Sequence, residues 1–201
     1  MLTAIGHGLR NLFNFNGRDA RQAFWFYVLF IYLVTTAIGL TISIPMAIQA
    51  ITAGIEQGVA QAGNPDRAAP DAAAQGAIVA SMSGYIPLLV WVSFGSAVIV
   101  LVGLAASLVR RLHDSGLSGY WALLPLGLQA VNAALIPGES DKIEQAMMTQ
   151  LAGPAAGTNP YEGAFTAATA ASWAAIVIVI VLATRKSTPG PNRFGEAPFI
   201  A

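Results

Sequence analysis

Residues 24–48 read FWFYVLFIYLVTTAIGLTISIPMAI, a run without one charged residue or histidine. A helix of about 20 apolar residues covers the roughly 30 Å of a bilayer's hydrocarbon core, so this run is long enough to span it. It is also longer than the roughly 7–15-residue apolar region of a secretory signal peptide. Nothing after it reads as a clear A-x-A cleavage site. A retained membrane span is expected.

Three more uncharged stretches lie further along, at 85–109, 119–137 and 163–184. The stretch at 119–137 is the shortest and carries Pro125, Gly127, Gln129 and Asn132. Aromatic residues gather near the expected interfaces: Phe24, Trp25 and Tyr27, then Tyr85 and Trp91, then Tyr120 and Trp121. Amphipathic rings favour that depth. Only 10 % of the 201 residues are charged and 55 % are hydrophobic, with a mean hydropathy of +0.61. A soluble domain carries about 25 % charged residues, so lipid is the expected solvent. The fold class that follows is an all-α polytopic membrane protein. It is a four-transmembrane-helix bundle in one domain, 1–201, with spans near 24–48, 85–109, 119–137 and 163–184. The insertions 49–84 and 138–162 fall on its outer side.

Orientation comes from the basic residues. With the N-terminus inside, the inner segments hold Arg10, Arg18, Arg21, Arg110, Arg111, Arg185, Lys186 and Arg193, and the outer ones hold Arg67 and Lys142. Lys and Arg near span ends favour the cytoplasmic side, which predicts both termini in the cytoplasm. The acids lean the other way, with Asp19, Asp114 and Glu196 inside and seven outside.

The connecting segments have patterns of their own. Leu2, Ile5, Leu9, Leu12 and Phe13 recur at helical spacing, as in a short helix lying on the inner leaflet. Ile48, Ile51, Ile55 and Val59 extend a helical stripe beyond the first span. Asn64-Pro65 should break it, and Pro70-Asp71 should start another short helix. In 138–162, Asp141 and Glu144 resemble a capping box ahead of Ile143, Met147 and Leu151. Both outer segments are therefore expected to contain short amphipathic helices. Gly163, Ala167, Ala171 and Ala175 place small residues every fourth position of the last span. Such a stripe suits close helix packing within the bundle, or else homodimerisation.

Three polar motifs fall at the inner span ends. Gly17-Arg18-Asp19-Ala20-Arg21 precedes Phe24-Trp25. Arg110-Arg111-Leu112-His113-Asp114-Ser115-Gly116-Leu117-Ser118-Gly119-Tyr120-Trp121 joins the second and third spans. Gly190-Pro191-Asn192-Arg193-Phe194-Gly195 lies near the end. These motifs resemble those of the domain of unknown function 805 family of small bacterial inner-membrane proteins. That family carries R-x-x-F-W before its first span, an R-R-L-H-D-x-G-x-S-G-W-W hairpin and an N-R-[FY]-G tail. Tyr120 stands here where the family usually has Trp, and Glu196 where Pro is common. The resemblance implies a compact four-helix unit of the bacterial inner membrane whose recurring residues face the cytoplasm.

Catalysis by the hairpin is not expected. A His held by an Asp is a general-base arrangement. Adjacent residues such as His113 and Asp114, however, rarely point at each other. Ser115 and Ser118 sit in a Gly-rich turn and suit local backbone hydrogen bonds. The chain has no cysteine and two histidines, His7 and His113, so neither a metal nor another cofactor is expected. Zero net charge gives no global attraction to nucleic acid. No span contains an ionisable residue of the kind that marks ion pathways. Gln129 and Asn132 share one face, and an interhelical hydrogen bond would account for them.

Two function classes remain. The first is a structural or interaction module whose basic cytoplasmic cap binds anionic lipid headgroups, a protein partner or a second copy. Its candidate residues are Arg18, Arg21, Arg110, Arg111, His113, Asp114, Asn192 and Arg193. The alternative is a small transporter or channel component using the polar face of the third span.

Overall fold

The computed structural model describes residues 1–60, 68–139, 141–142, 145 and 167–198. Helix α1 covers Leu2–Arg10, α2 Arg21–Ala60, α3 Ala68–Ser83, α4 Ile86–Asp114, α5 Leu123–Leu135 and α6 Ala167–Ala183. Short 3₁₀ turns at Gly119–Ala122 and Ile136–Glu139 flank α5. No strand occurs among the described residues.

Three helical stretches are long and apolar enough to cross a membrane: Arg21–Ala60, Ile86–Asp114 and Gly119–Gly138. The apolar stretch of α6, Thr169–Ala183, is shorter, and residues 163–166 of the expected fourth span lie outside the described ones. At 1.5 Å per residue the 40 residues of α2 extend about 60 Å, well beyond the roughly 30 Å of a hydrocarbon core.

The chain forms two compact units. The first comprises Met1–Thr36, Gly95–Ala134 and Ala167–Ala201, and the second comprises Ala37–Phe94 and Leu135–Thr166.

In the second unit, α2 continues to Ala60 with Ile48, Ile51, Ile55 and Val59 exposed along it. Residues 61–67, with Asn64-Pro65, lie outside the description. Helix α3 starts two residues ahead of Pro70, whose missing N–H is tolerated in a first turn. A Cβ at Gly54 would stand 3.2 Å from Cδ1 of Ile78, so α2 and α3 approach closely there. The helix expected after Asp141 falls outside the described residues, apart from Asp141, Lys142 and Gln145, which are helical.

The first unit is built around Phe24, Leu108, Leu112, Ala122 and Ala183, with Trp25, Leu117, Leu126 and Val179 packed against them. Helix α1 docks on α2 through Ala4 and Gly8, both buried. A Cβ at Gly8 would lie 2.4 Å from the Tyr27 ring, so only glycine allows this approach. Leu2, Leu9 and Phe13 remain exposed, as an apolar face pointing away from the docked one requires.

Helix α4 does not end where the hydrophobic stretch ends. It continues through the charged residues to Asp114. Leu117 N–H donates to Leu112 O at 2.9 Å and Gly116 N–H to His113 O at 3.1 Å, with Gly116 at φ +77°. This pair of bonds around a left-handed glycine is the Schellman stop, and Leu117 adds its customary apolar contact with the Leu112 cluster. The hairpin turn is thus short, Ser115 to Ser118. Ser115 Oγ donates to Leu112 O, and Ser118 Oγ accepts from Tyr120 N–H, the local backbone role expected of both.

Candidate functional site

All three polar motifs meet within the first unit. The residues that join them are charged and buried. Arg18, Asp19, Arg110, Arg111 and Asp114 are each less than 5 % exposed. An ionised side chain leaves water at a cost of several kcal/mol, which must be offset by a partner of opposite charge and by hydrogen bonds. Two separate networks do so here.

Asp114 anchors the first. Its Oδ1 accepts from Arg18 Nη2 at 3.0 Å and Nε at 3.3 Å, and its Oδ2 accepts from Arg111 Nη1. Arg111 reaches its partner because residues three apart share a helix face. Each guanidinium also holds backbone. Arg18 donates to the carbonyls of Thr188 at 2.6 Å, Gly190 at 2.6 Å and Glu196 at 3.3 Å. All five of its N–H donors are spent. Arg111 donates to Ala183 O at 2.9 Å, to Ser187 Oγ at 3.4 Å and to Arg185 O. The two arginines therefore clamp the segment that leaves α6. Thr188 closes the loop from the other side, donating through N–H (2.8 Å) and Oγ1 (2.6 Å) to Asp114 O.

Asp19 anchors the second network. Its carboxylate accepts from Arg110 Nε at 3.0–3.1 Å and from Ser107 Oγ at 3.1 Å, and lies 3.1 Å from His7 Nε2. Arg110 Nη1 also donates to the carbonyls of Asn11 at 2.8 Å and Asn14. This network ties α1 and the chain after it to α4. Arg110 and Arg111 serve different networks because neighbours on a helix point about 100° apart.

His113 belongs to neither. Its Nδ1 lies 3.3 Å from Gly17 O, and its ring stacks on Phe194 with centroids 4.0 Å apart and planes 6° from parallel. The Phe194 ring also carries the Arg193 guanidinium, 4.5 Å from its centroid. The tail is folded for this contact. Asn192 and Gly195 exchange backbone hydrogen bonds at 3.0 Å, Asn192 Oδ1 accepts from Phe194 N–H, and Asn192 Nδ2 donates to His113 O at 2.9 Å. His113 and Asp114 thus face different partners.

The eight candidate residues divide by exposure. Arg18, Arg110, Arg111 and Asp114 are sealed inside the networks. His113 and Asn192 dock the tail. Arg193 and Arg21 are exposed, and among the described residues no hydrogen bond or ion pair holds the Arg21 side chain. Arg10, Arg185 and Lys186 are exposed as well. His7, Ser107, Thr188 and Phe194 complete the assembly and were not among the candidates. Ser107 had a signal in its place one helical turn before Arg110, whereas the pairing of His7 with Asp19 depends on α1 docking and has none. Gln129 and Asn132 do not form the expected interhelical bond: among the described residues neither side chain has a hydrogen-bond partner. Gln129 instead borders a cleft.

Fold and site together define a helical protein with membrane-length apolar helices, gathered at one end by buried ion pairs. The chain belongs to the family DUF805, protein of unknown function, which it matches over residues 12–196. The two networks and the His113–Phe194 stack together form a latch, and every residue of it except His7 and Asn11 lies within that match. No curated protein and no solved structure matches the chain.

Proposed function

We propose that the protein is a four-span inner-membrane protein with both termini in the cytoplasm. In this reading it is an interaction module, not an enzyme, whose cytoplasmic rim binds anionic lipid headgroups. One observation carries the reading: the latch spends Arg18, Arg110 and Arg111 inside the protein and leaves Arg10, Arg21, Arg185, Lys186 and Arg193 exposed. Glu196 is the one exposed acid among the described residues of these same segments. Each exposed basic residue near an anionic leaflet contributes about 1 kcal/mol of attraction. The exposed Leu2, Leu9 and Phe13 beside Arg10 suit the same leaflet, since an interfacial helix places apolar side chains among the acyl chains and basic ones among the headgroups.

Transport through the third span has less support. Gln129 borders a cleft, but the other lining groups are apolar except Thr35, the Tyr32 hydroxyl and the Trp25 indole N–H. A polar solute needs a series of such groups along its path.

Two measurements test the reading. A reporter active only in the periplasm should work when fused after residue 60 or 150 and fail after residue 115 or 201; activity at 115 refutes the topology. The triple variant Arg21→Gln, Arg185→Gln, Lys186→Gln should co-purify with less anionic lipid than the wild type from the same membranes. Unchanged lipid composition refutes the rim.

A further inference from the structure

Above the latch, on the side away from the polar motifs, the first unit contains a cleft of about 410 Å³. All four of its apolar helices contribute walls: α2, α4, α5 and α6. The volume falls within the range of small-molecule sites. Phe24 and Leu108, both 1 % exposed, belong at once to the lining and to the core cluster, so the core closes the end nearest the latch. The most exposed lining residues are Tyr32 on α2 and Ile176 and Ile180 on α6, at 63 %, 48 % and 45 %. The opening is therefore lateral, between side chains that face lipid in a membrane-spanning protein. An occupant enters from the bilayer and is largely apolar.

The headgroup of that occupant is indicated by α2. Trp25, Val28, Tyr32 and Thr35 line the cleft at alternating intervals of three and four residues, a single stripe on the helix. Continuing the stripe by one turn reaches Arg21, about 6 Å along the axis. Arg21 is exposed, and it is the arginine of the first motif that the latch leaves out. A cation thus stands at the polar end of an apolar slot. Within the slot, Thr35 Oγ1 is already bonded to the Ile31 and Tyr32 carbonyls, whereas the Gln129 amide has no hydrogen-bond partner among the described residues. An amide in that position offers a donor to an ester carbonyl.

We propose that this cleft is a binding site for one acyl chain of an anionic glycerophospholipid, with the phosphate on Arg21 and an ester carbonyl on Gln129. The inference rests on the anionic-rim reading and adds to it a defined site, a chain and two polar contacts.

The test uses the full-length protein in nanodiscs. Phosphatidylglycerol with a photoactivatable diazirine in one acyl chain is compared with the matching phosphatidylcholine, and labelled peptides are mapped. The expected result is phosphatidylglycerol labelling concentrated at Val28, Leu104 and Val179. Phosphatidylcholine should label these positions about 5-fold less, the value of one basic residue at an anionic surface. Ile176→Trp, which fills the mouth, should lower the labelling several-fold, and Arg21→Gln should bring phosphatidylglycerol down to the phosphatidylcholine level. If phosphatidylglycerol is preferred but labels only outer helix faces, the cleft site is wrong and the rim reading stands. If the two lipids label the cleft equally, this inference fails, while the rim reading is decided separately by the lipid that co-purifies with the triple variant. The map on the unaltered protein decides the matter even if a variant misfolds.

Discussion

Arg18 and Asp114 are 96 positions apart in the chain and meet at 3.0 Å, with side chains 1 % and 0 % exposed. The same carboxylate also faces Arg111. One acidic side chain therefore neutralises part of the charge of two buried guanidinium groups, and both guanidinium groups hold the backbone that follows α6. The fold of the tail is thus conditional on a charge contributed by the last turn of α4.

Asp114→Ala should destabilise the protein by about 3–5 kcal/mol, the cost of removing one partner from a buried ion pair. Two guanidinium groups would then confront each other without compensation. Thermal unfolding of the purified protein in detergent is the measurement. A transition at the wild-type temperature would show that the carboxylate is not holding the latch.

Arg18→Lys should not rescue the latch, although it keeps the charge. Lysine has three donors on one atom, whereas Arg18 uses five donors spread over three nitrogens to reach Asp114, Thr188, Gly190 and Glu196. The expected result is faster limited proteolysis at Lys186 and Arg193, with the helical circular dichroism unchanged. Wild-type cleavage rates would mean that charge alone suffices.

Much of this arrangement was legible beforehand, for identifiable reasons. Uncharged stretches mark apolar helices because a charge in hydrocarbon is costly, so the runs at 24–48 and 85–109 could be read directly. That Arg18, Arg110 and Asn192 would come together follows from their shared position beyond the ends of apolar stretches. The end of α4 was not legible from hydrophobicity. Val109 closes the apolar run, but backbone hydrogen bonding continues until Gly116 adopts its left-handed angle. Partner choice was equally hidden. Arg110 and Arg111 are chemically identical neighbours, and which of them meets Asp19 depends on a rotation of about 100° and on where α1 docks. Gln129 and Asn132 illustrate the opposite error. Shared spacing put them on one face but said nothing about a partner across from it.

Gly8→Ala should destabilise the docking of α1, because its Cβ would clash with the edge of the Tyr27 ring. Gly6→Ala is the internal control. It adds a Cβ in the same helix with nothing within 4 Å and should stabilise it by up to about 1 kcal/mol, the usual helix preference of Ala over Gly. The two variants are compared by tryptic cleavage at Arg10. Equal rates would show that α1 does not depend on the contact with Tyr27.

The stacking of His113 on Phe194 is the latch contact that carries no net opposition of charge, so it can be isolated by a double-mutant cycle. Parallel rings 4.0 Å apart should couple by about 0.5–1.5 kcal/mol beyond the area they bury. His113→Ala and Phe194→Ala each remove the stack, and the double variant removes nothing further from it. If the stack matters, the double variant is less destabilised than the sum of the singles by that amount. Truncating Phe194 also removes the platform beneath Arg193, so the cycle is repeated with Arg193→Gln as background. The coupling between His113 and Phe194 should persist there. Asn192 remains available in every variant to donate to His113 O, because that bond uses backbone which the substitutions leave in place. Additive single effects in both backgrounds would show that the tail is held by the Arg18 clamp and the Asn192 bond alone.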